Sequence, residues 1–302
     1  MAKHAYLIVA NANFKVVEAC IRLIDDPRND IYLLLDAKAR VSGEQKKALT
    51  AVLAHSPLFF YEEVVNWAGY SQISATLCLM EEALSSGVEY SYLHFMQGSD
   101  LPIKSQDSIH KYFEENAGYE FVSVEKSRTA MAQNKSWYRH YFCHNRYFRT
   151  KKVVKYLNFG LVKLQKMLHI RKNKDIALYQ GSALFSITAP CAMFVLSKKE
   201  EIHRRFRYSL AADEVFLQTI LMASEYAAKI KSIECETSEN ARLIDRTRPD
   251  GKNSPHIWRS EELSTLISDC PDKMFARKFD ERVDFQVVEE IVKLLLGEEE
   301  NE

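Results

Sequence analysis

Apolar positions in the N-terminal part of the chain alternate between short continuous runs and runs with helical spacing. The segment AYLIVANAN, Ala5 to Asn13, is apolar until it ends in small polar residues, which is typical of a strand buried on both faces. FKVVEACIRLI then places apolar side chains at i, i+3 and i+4 before Pro27, which predicts a helix. IYLLLDAKA repeats the strand pattern around Asp36. Together these segments predict a βαβ unit with a parallel sheet.

The alternation of helices and strands continues along the chain. We expect a helix near Gly43–Ala54, a strand at FFYEEVV, a helix at Ser71–Ser85 and a strand at YSYLHFM. Further on, the patterns predict a strand around the Gly-Ser of LYQGSALFSIT, a helix in SLAADEVFLQTILM, a capped helix in SPHIWRSEELSTLI and a terminal amphipathic helix. Because parallel strands end at one edge of a sheet, polar side chains should gather there: Asn11, Asn13, Asp36 and Gly98-Ser99-Asp100.

A basic segment interrupts this alternation. Residues 151–174, KKVVKYLNFGLVKLQKMLHIRKNK, carry eight Lys or Arg and no acid, with apolar side chains near helical spacing. Such a basic amphipathic helix could lie on an anionic membrane surface. It could equally pack on the core with its polar face in water, as most surface helices do. Both interpretations stay open at this point.

Composition and charge set the broad class. The 302 residues are 47% hydrophobic, enough for a sizeable core, and 41 basic residues balance 41 acidic ones, so no overall charge favours nucleic acid. No internal repeat or Pro/Gly-rich linker is visible, so we expect one domain over 1–302. The six cysteines are scattered, which favours reduced, mostly buried thiols. We expect no secretory signal and no membrane span.

Candidate chemistry is sparse and unusual. G-x-G-x-x-G and P-loop motifs are absent, and so is D-x-D, the carboxylate pair with which many sugar-nucleotide enzymes hold a divalent metal. Glu214 lies in the first turn of a predicted helix, where helix-dipole stabilisation or general-base chemistry would explain it. The available cations are Arg259 and the pair Arg277-Lys278 in MFARKFD. A strand would send the paired side chains to opposite faces, whereas a turn could point both the same way.

Several segments together resemble glycosyltransferase family 14, which includes the core-2 and I-branching β-1,6-N-acetylglucosaminyltransferases and the peptide O-xylosyltransferases. The matching segments follow the family's order over nearly the whole chain. They are AYLIVANANFKVVEACIRLIDDPRNDIYLLLDAKA, VNWAGYSQISATLCLMEEAL, QGSDLPIKSQDSIHKYF, YQGSALFSIT, ADEVFLQTIL, ARLIDRTR, SPHIWRSEEL and MFARKFD.

The resemblance implies an α/β, GT-A-like (Rossmann-like) fold with a mixed central sheet flanked by helices, working without a metal. It implies a nucleotide-binding half at about 1–125 and an acceptor-binding and catalytic half at about 126–302. Glu214 falls on the family's general base, and Arg277 and Lys278 fall on its diphosphate-binding cations. The remaining expected nucleotide contacts are Val9, Asn11, Asp36 and Arg259. The expected donor and acceptor contacts are Trp67, Asp100, Glu125, Gly181, Ser182, Asp213 and Arg246.

Two positions depart from the family pattern. Members often carry His where this chain has Asn11, and many have an aromatic residue at the position of Arg246. Because the second position faces the acceptor, the acceptor is the property that transfers least.

The resemblance implies an inverting glycosyltransferase that moves a sugar, with GlcNAc favoured over xylose, from a UDP-sugar to a glycan or lipid-linked acceptor. We expect a bacterial-type, cytoplasmic enzyme of surface-polysaccharide synthesis, held at the inner membrane face by 151–174, with no cofactor and no nucleic-acid partner. A non-catalytic nucleotide- or glycan-binding module on the same fold is the alternative. A membrane-surface adaptor acting through the basic helix is a third interpretation.

Overall fold

A computed structural model describes residues 3–143, 147–148, 150–248, 250, 254–268 and 270–297. Its helices and strands, in chain order, are β1 Lys3–Ala10, α1 Phe14–Leu23, β2 Asn29–Asp36, α2 Gly43–Ala51, β3 Leu58–Glu63, α3 Ser71–Ser85, β4 Tyr90–Gln97, β5 Asp100–Pro102, α4 Gln106–Glu115, β6 Phe121–Val122, α5 Lys126–Ala132, α6 Ser136–Arg139, α7 Lys152–Met167, β7 Phe185–Thr188, α8 Ala189–Ser197, α9 Lys199–Phe206, α10 Phe216–Met222, β8 Arg242–Ile244, α11 Leu263–Ile267, β9 Phe275–Arg277 and α12 Gln286–Leu296.

The chain divides into two compact units that interleave along the sequence. Unit 1 comprises Met1–Glu62, Glu89–Gly118 and Ala241–Glu302, and unit 2 comprises Glu63–Val88 and Tyr119–Asn240. These bounds differ from the predicted halves at about residue 125, because the C-terminal segment returns to unit 1. There β9 pairs with β5, and α12 packs on α1.

The sheet of unit 1 confirms the predicted βαβ pattern. Its strand order is β3-β2-β1-β4, and β1 runs parallel to both β2 and β4. The strand β2 is buried along its whole length, which is why its sequence is apolar throughout except at its two ends. In α1 the predicted helical stripe is buried, including Val16, Val17, Cys20 and Ile21.

A second, three-stranded sheet of unit 1 holds the Arg-Lys pair. Its order is β5-β9-β8, with β9 antiparallel to β5 and parallel to β8. MFARKFD is therefore a short strand, Phe275–Arg277, and Lys278 comes directly after it. Phe275 and Phe279 are both buried, so the two aromatic side chains anchor the segment on either side of the cations.

Unit 2 is mainly helical around a short antiparallel pair, β6 and β7. α3 has the bounds that its apolar pattern predicts, and it packs on α8. α10 buries nearly every residue, from Phe216 to Leu221. Ser182 and Gln218 lie inside this unit, where the Gln218 side-chain amide donates to the Ser182 carbonyl at 2.6 Å.

The basic segment differs from the sequence-based prediction in its helix bounds and in the residues that it buries. The helix α7 ends at Met167, and Lys172 beyond it is buried, so the segment 151–174 is not one continuous basic helix. Its buried residues are Asn158, Val162 and Gln165, whereas most of its apolar side chains are exposed. The helix packs on the rest of unit 2 through these three residues, and its lysines are exposed. No helix in the described part of the chain has the length and apolar character of a membrane span.

The cysteines are unpaired, as predicted, but they are less buried than expected. Cys20 and Cys191 are buried, Cys143 and Cys235 are exposed, and the other two lie between these limits. The scattered positions of the cysteines in the sequence predict that they do not pair, but they do not predict how deeply each one is buried.

Candidate active site

Polar residues meet at the carboxyl edge of the unit 1 sheet, as predicted. In the register of the parallel strands, Val9 pairs with Leu34 on one side and with Gln97 on the other. Asn11 therefore follows β1, Asp36 closes β2 and Gly98 follows β4 at one edge. This edge is where open α/β sheets bind ligands.

Asp36 is held firmly at that edge. Its carboxylate accepts a hydrogen bond from the Lys38 backbone amide at 3.1 Å and lies 3.2 Å from the Lys38 ammonium. The Asp36 side chain is buried, while Asn11 is exposed. The Val9 carbonyl accepts a hydrogen bond from the Gly98 amide at 3.0 Å, so the Val9 backbone holds the segment after β4 against the end of β1. The nucleotide-binding roles of these three residues stay predictions.

Arg277 forms a buried ion pair with Asp100. The two residues are opposite each other in the β5–β9 ladder, and the guanidinium lies 2.5 Å from the Asp100 carboxylate. Asp100 also accepts from the Gln97 backbone amide at 2.8 Å. The sequence assigned Asp100 to the sugar-binding side and Arg277 to the diphosphate; the structure brings them together.

Lys278 stands beside this pair without an ion-pair partner among the described residues. Its ammonium lies 3.4 Å from the Ser254 hydroxyl. Burial and the neighbouring Arg277 charge lower the pKa of Lys278. Its backbone is fixed by Trp258, whose amide donates to the Lys278 carbonyl at 3.0 Å and whose indole donates to the Arg277 carbonyl at 2.9 Å. Trp258 is a positioning residue that the sequence-based analysis missed.

The other two predicted cations of unit 1 differ in their surroundings. The Arg259 guanidinium is 3.1 Å from the Asp250 carboxylate and donates to the Ile257 carbonyl at 2.9 Å. Hydrogen bonding from Arg259 lowers the pKa of Asp250 to about 2. Arg246 is exposed to solvent. Arg259 would therefore have to leave Asp250 to meet a phosphate, whereas Lys278 has no carboxylate in ion-pair contact within the described part of the chain.

Glu214 lies in a single 3-10 turn of unit 2, Ala212–Glu214, and not in the first turn of the predicted α-helix. The helix α10 begins only at Phe216, after Val215 leaves helical geometry with φ −134°. Before the turn, Ala211 adopts φ 46°, and its amide donates to the Ala68 carbonyl at 2.9 Å. The apolar spacing continues through this break, which is why periodicity alone predicts one helix.

Arg128 organises the carboxylates around Glu214. Its guanidinium is 2.5 Å from the Glu214 carboxylate and 2.8 Å from that of Glu125, and it also donates to the Gly181 carbonyl at 3.1 Å. The Gln180 amide adds a longer contact to Glu214 at 3.3 Å. Burial opposes the charge of Arg128, but the two carboxylates raise its pKa. The i, i+3 spacing of Glu125 and Arg128 is the only signal in the sequence for this residue.

Asp213 shares the turn with Glu214 but has different partners. The Gln72 side-chain amide donates to its carboxylate at 3.2 Å. Burial and the adjacent Glu214 charge raise the pKa of Asp213 to about 7. Trp67 lies in the segment that leads to Gln72 and is half exposed, so an aromatic surface is accessible in this unit.

Gly181 fills a position that only glycine fits. A Cβ built there would lie 1.7 Å from the Ser123 carbonyl oxygen, and the Gly181 amide donates to the Glu214 carbonyl at 3.0 Å. The predicted strand over LYQGSALFSIT is correct only for Phe185–Thr188, because the Gly-Ser part bonds to the Glu214 turn instead of a neighbouring strand. Ser182 is buried, and its hydroxyl accepts from the Leu184 amide at 3.2 Å.

Two further side chains near Glu214 carry no motif. The Lys135 ammonium lies 4.3 Å from the Trp137 ring centroid, and burial lowers its pKa against the opposing attraction of Glu214. Tyr138 is fully buried, and its hydroxyl has no hydrogen-bond partner among the described residues. Burial and the charges of Glu214 and Asp213 raise the pKa of Tyr138, so it stays neutral.

A polar sheet edge with a fixed cation in one unit, and a glutamate oriented by an arginine in the other, fit the glycosyltransferase class. Residues 4–260 match the family model Branch, described as the Core-2/I-branching enzyme. The chain belongs to this family. Membership confirms the α/β, GT-A-like fold class expected from the resemblance. The match ends before Arg277 and Lys278.

Curated relatives agree with this family. The chain is 22% identical over 311 residues to a Bos taurus beta-1,3-galactosyl-O-glycosyl-glycoprotein beta-1,6-N-acetylglucosaminyltransferase, covering 94% of this chain and 67% of the relative. It is 26% identical over 196 residues to a Homo sapiens N-acetyllactosaminide beta-1,6-N-acetylglucosaminyl-transferase, covering 64% of this chain and 45% of the relative. The chain thus spans two thirds or less of the length of these relatives. A solved structure, apo mouse xyloside xylosyltransferase 1, aligns at TM-score 0.36 with 9% identity over 74% of this chain and 83% of that one.

Proposed function

We propose that the protein is an inverting, metal-independent β-glycosyltransferase. It moves a sugar, with GlcNAc favoured, from a UDP-sugar to a hydroxyl of a glycan or lipid-linked saccharide. Family membership supports the reaction class, and the names of the relatives support GlcNAc as donor sugar. We further propose a bacterial-type, cytoplasmic enzyme that builds surface polysaccharide.

The carboxylate of Glu214 carries the proposal for the acceptor side. It takes the proton of the acceptor hydroxyl while that oxygen forms a bond to the anomeric carbon. The bond from this carbon to the diphosphate oxygen breaks on the opposite face, and its electron pair leaves with UDP. The arrangement supports this role because Arg128 and Gln180 hold the carboxylate in one orientation, and a general base must be placed within hydrogen-bond reach of its proton.

The cations of unit 1 carry the proposal for the leaving group. UDP gains negative charge as its bond breaks, and preorganised donors in a water-poor site stabilise such charge. Lys278 suits this task because it has no carboxylate partner among the described residues and its backbone is fixed by Trp258. Arg277 contributes beside it while paired to Asp100. The missing D-x-D sequence supports cations in place of a divalent ion.

Turnover in a metal chelator tests this function. Purified protein is incubated with UDP-GlcNAc in EDTA, with and without β-galactoside and lipid-linked acceptors, and released UDP is measured. We expect acceptor-dependent UDP release that EDTA leaves unchanged and that exceeds release from UDP-xylose. Activity that returns only with added Mn²⁺ would contradict the metal-independent mechanism.

One observation favours a second function, a non-catalytic nucleotide- or glycan-binding module. The ion pair with Arg128 at 2.5 Å occupies the Glu214 carboxylate, so an acceptor hydroxyl would have to compete with the guanidinium for it. A binding module would show thermal stabilisation by UDP but no transfer across a broad acceptor panel. Acceptor-dependent UDP release excludes it.

A further inference from the structure

The helix α7 presents three rows of side chains at helical spacing, and each row has a different character. The buried row is Asn158, Val162 and Gln165. A second, exposed row consists of lysines around one aromatic residue, and a third, also exposed, is apolar. With 3.6 residues per turn, the lysine row lies between the other two on one side of the helix. The two exposed rows are Lys152, Lys155, Phe159, Lys163 and Lys166, and Val153, Leu157, Leu164, Met167 and Leu168.

The buried row attaches the helix through polar groups. The Asn158 side chain accepts from the Cys143 amide at 2.8 Å and donates to the Cys143 carbonyl at 2.9 Å. The Gln165 side chain repeats this pattern with Tyr141, at 2.8 and 2.9 Å. Both amides therefore satisfy the backbone of the segment beside α7. Docking through amides leaves the apolar residues of the helix free to face outward.

The outward apolar row is unusually exposed for a folded protein. Val153 and Met167 are each 69% exposed and Leu157 is 67% exposed. An exposed apolar patch of this kind marks a surface that meets another molecule or a membrane. The four lysines next to it are exposed, and the helix contains no acidic residue.

We infer that α7 docks on an anionic lipid bilayer, with its apolar row in the headgroup–acyl boundary and its lysine row on the lipid phosphates. Charge complementarity favours this occupant, because a helix with an apolar face and flanking lysines binds anionic membranes through both terms. A second copy of the chain fits less well. Packing on the same row would bring two lysine rows of like charge together.

This docking also bears on the acceptor, a step that rests on the proposed function. Val162 of α7 belongs to a buried apolar cluster with Ala68 and Leu210, and Ala211 packs against that cluster. The Ala68–Ala211 hydrogen bond joins the segment of Trp67 to the turn of Glu214. The bilayer surface is thus coupled through a few contacts to the catalytic turn, which favours a lipid-linked acceptor over a soluble glycan.

Vesicle co-sedimentation tests the docking surface without substrates. The full chain is mixed with phosphatidylcholine vesicles, either pure or containing phosphatidylglycerol, at low and high salt. We expect binding to the anionic vesicles only, weakened by salt. Lys155→Gln/Lys163→Gln should weaken it about 25-fold, at roughly 5-fold per lysine. Leu157→Ser/Leu164→Ser should weaken it by at least as much. The control Met131→Ser/Met193→Ser removes exposed apolar side chains elsewhere in unit 2 and should change nothing.

Several results would overturn the inference. These are no binding to either vesicle, equal binding to both, and anionic binding that the α7 variants leave intact. A dimer in analytical ultracentrifugation that only the α7 variants dissociate would assign the surface to a second copy. Thermal melts confirm that the variants fold. Because vesicle binding needs no UDP, a catalytically inactive protein that still binds would refute the proposed function alone. Equal turnover of matched soluble and vesicle-borne acceptors would refute the acceptor step alone.

Discussion

The two charged sites of the molecule are built on opposite plans. In unit 2, Arg128 lies between two carboxylates, Glu214 and Glu125, so this group keeps one net negative charge. In unit 1, Arg277 is neutralised by Asp100, and Lys278 next to it keeps a positive charge. Each of these two groups therefore contains one compensated ion pair and one remaining charge, negative in unit 2 and positive in unit 1, and the proposed function uses the remaining charges.

This comparison separates charges that are compensated by a partner from charges that are not. Arg277 and Lys278 are neighbours in sequence, yet one is the counterion of a buried carboxylate and the other has no such partner among the described residues. Removing a member of a buried pair leaves an uncompensated charge, whereas removing the unpaired member does not. Adjacent residues of one motif should consequently respond very differently to mutation.

The largest expected effect is on the negative site. Glu214→Gln removes the base but keeps the side-chain shape and an oxygen for Arg128. We expect kcat to fall by about 10²–10⁴-fold, the usual contribution of a general base. Turnover kinetics measure kcat, and calorimetry measures UDP affinity, which should be unchanged. The exposed Glu225→Gln serves as matched control. Full activity of the Glu214 variant would remove Glu214 from the mechanism.

The positive site should divide into two phenotypes. Lys278→Met should lower kcat by about 10²–10³-fold through lost charge stabilisation, with an unchanged melting temperature. Arg277→Met should also lower the free energy of unfolding by about 3–5 kcal/mol, because Asp100 stays buried without its partner. Urea denaturation and steady-state kinetics separate the effects, with exposed Lys47→Met as control. If both variants lowered the free energy of unfolding equally, the distinction drawn between Arg277 and Lys278 would be contradicted.

A smaller effect should follow from the backbone that supports Glu214. Gly181→Ala places a Cβ against the Ser123 carbonyl, so we expect a loss of about 1–3 kcal/mol or more in the free energy of unfolding, together with reduced kcat. Gly160 of α7 has open space around it, and Gly160→Ala should stabilise the protein by about 0.5–1 kcal/mol. Chemical denaturation of both variants measures the contrast. An unaffected Gly181→Ala protein would show that the turn is not tightly packed.

The effect that is smallest at neutral pH concerns the stability that three histidines of unit 1 contribute. His4, His94 and His110 of unit 1 stack or hydrogen-bond with one another, His4 and His94 at 3.0 Å. Burial lowers the pKa of all three, that of His110 to about 4, with the Arg28 charge adding to it. They are neutral when folded, so only the unfolded chain takes up protons as pH falls below about 6.5.

Stability should therefore be full above pH about 6.5 and decline toward pH about 4. The decline reaches at most about 1.4 kcal/mol per pH unit for each fully buried histidine, and less for His110, which is partly exposed. Urea titrations at several pH values measure the slope. His110→Gln should flatten it, whereas the exposed His55→Gln should not. A slope that His110→Gln leaves unchanged would contradict the assignment.

Local periodicity predicted most elements, and tertiary contacts decided the rest. The bounds of α3 and the parallel pairing of β1 with β2 follow from spacing alone. The break before α10 does not, because Val215 is as apolar as the helix that follows. The orientation of α7, which buries polar side chains and exposes apolar ones, could not be predicted either. Its buried Asn158 and Gln165 bond to backbone groups that only the fold brings near them.

The candidate site shows the same division. Motif positions indicated Glu214, Arg277 and Lys278, whose roles stay predictions. The residues that hold them, Arg128 and Trp258, were missed because one is distant in sequence from Glu214 and the other acts through backbone carbonyls. The interleaved units also could not be anticipated, since β9 joins β5 across most of the chain.

A crystal structure with UDP bound in the presence of EDTA tests the central claim most directly. The account predicts the diphosphate within about 3 Å of the Lys278 ammonium, a charge-assisted contact, with no metal ion between them. A diphosphate held elsewhere, or held through a metal ion, would contradict it.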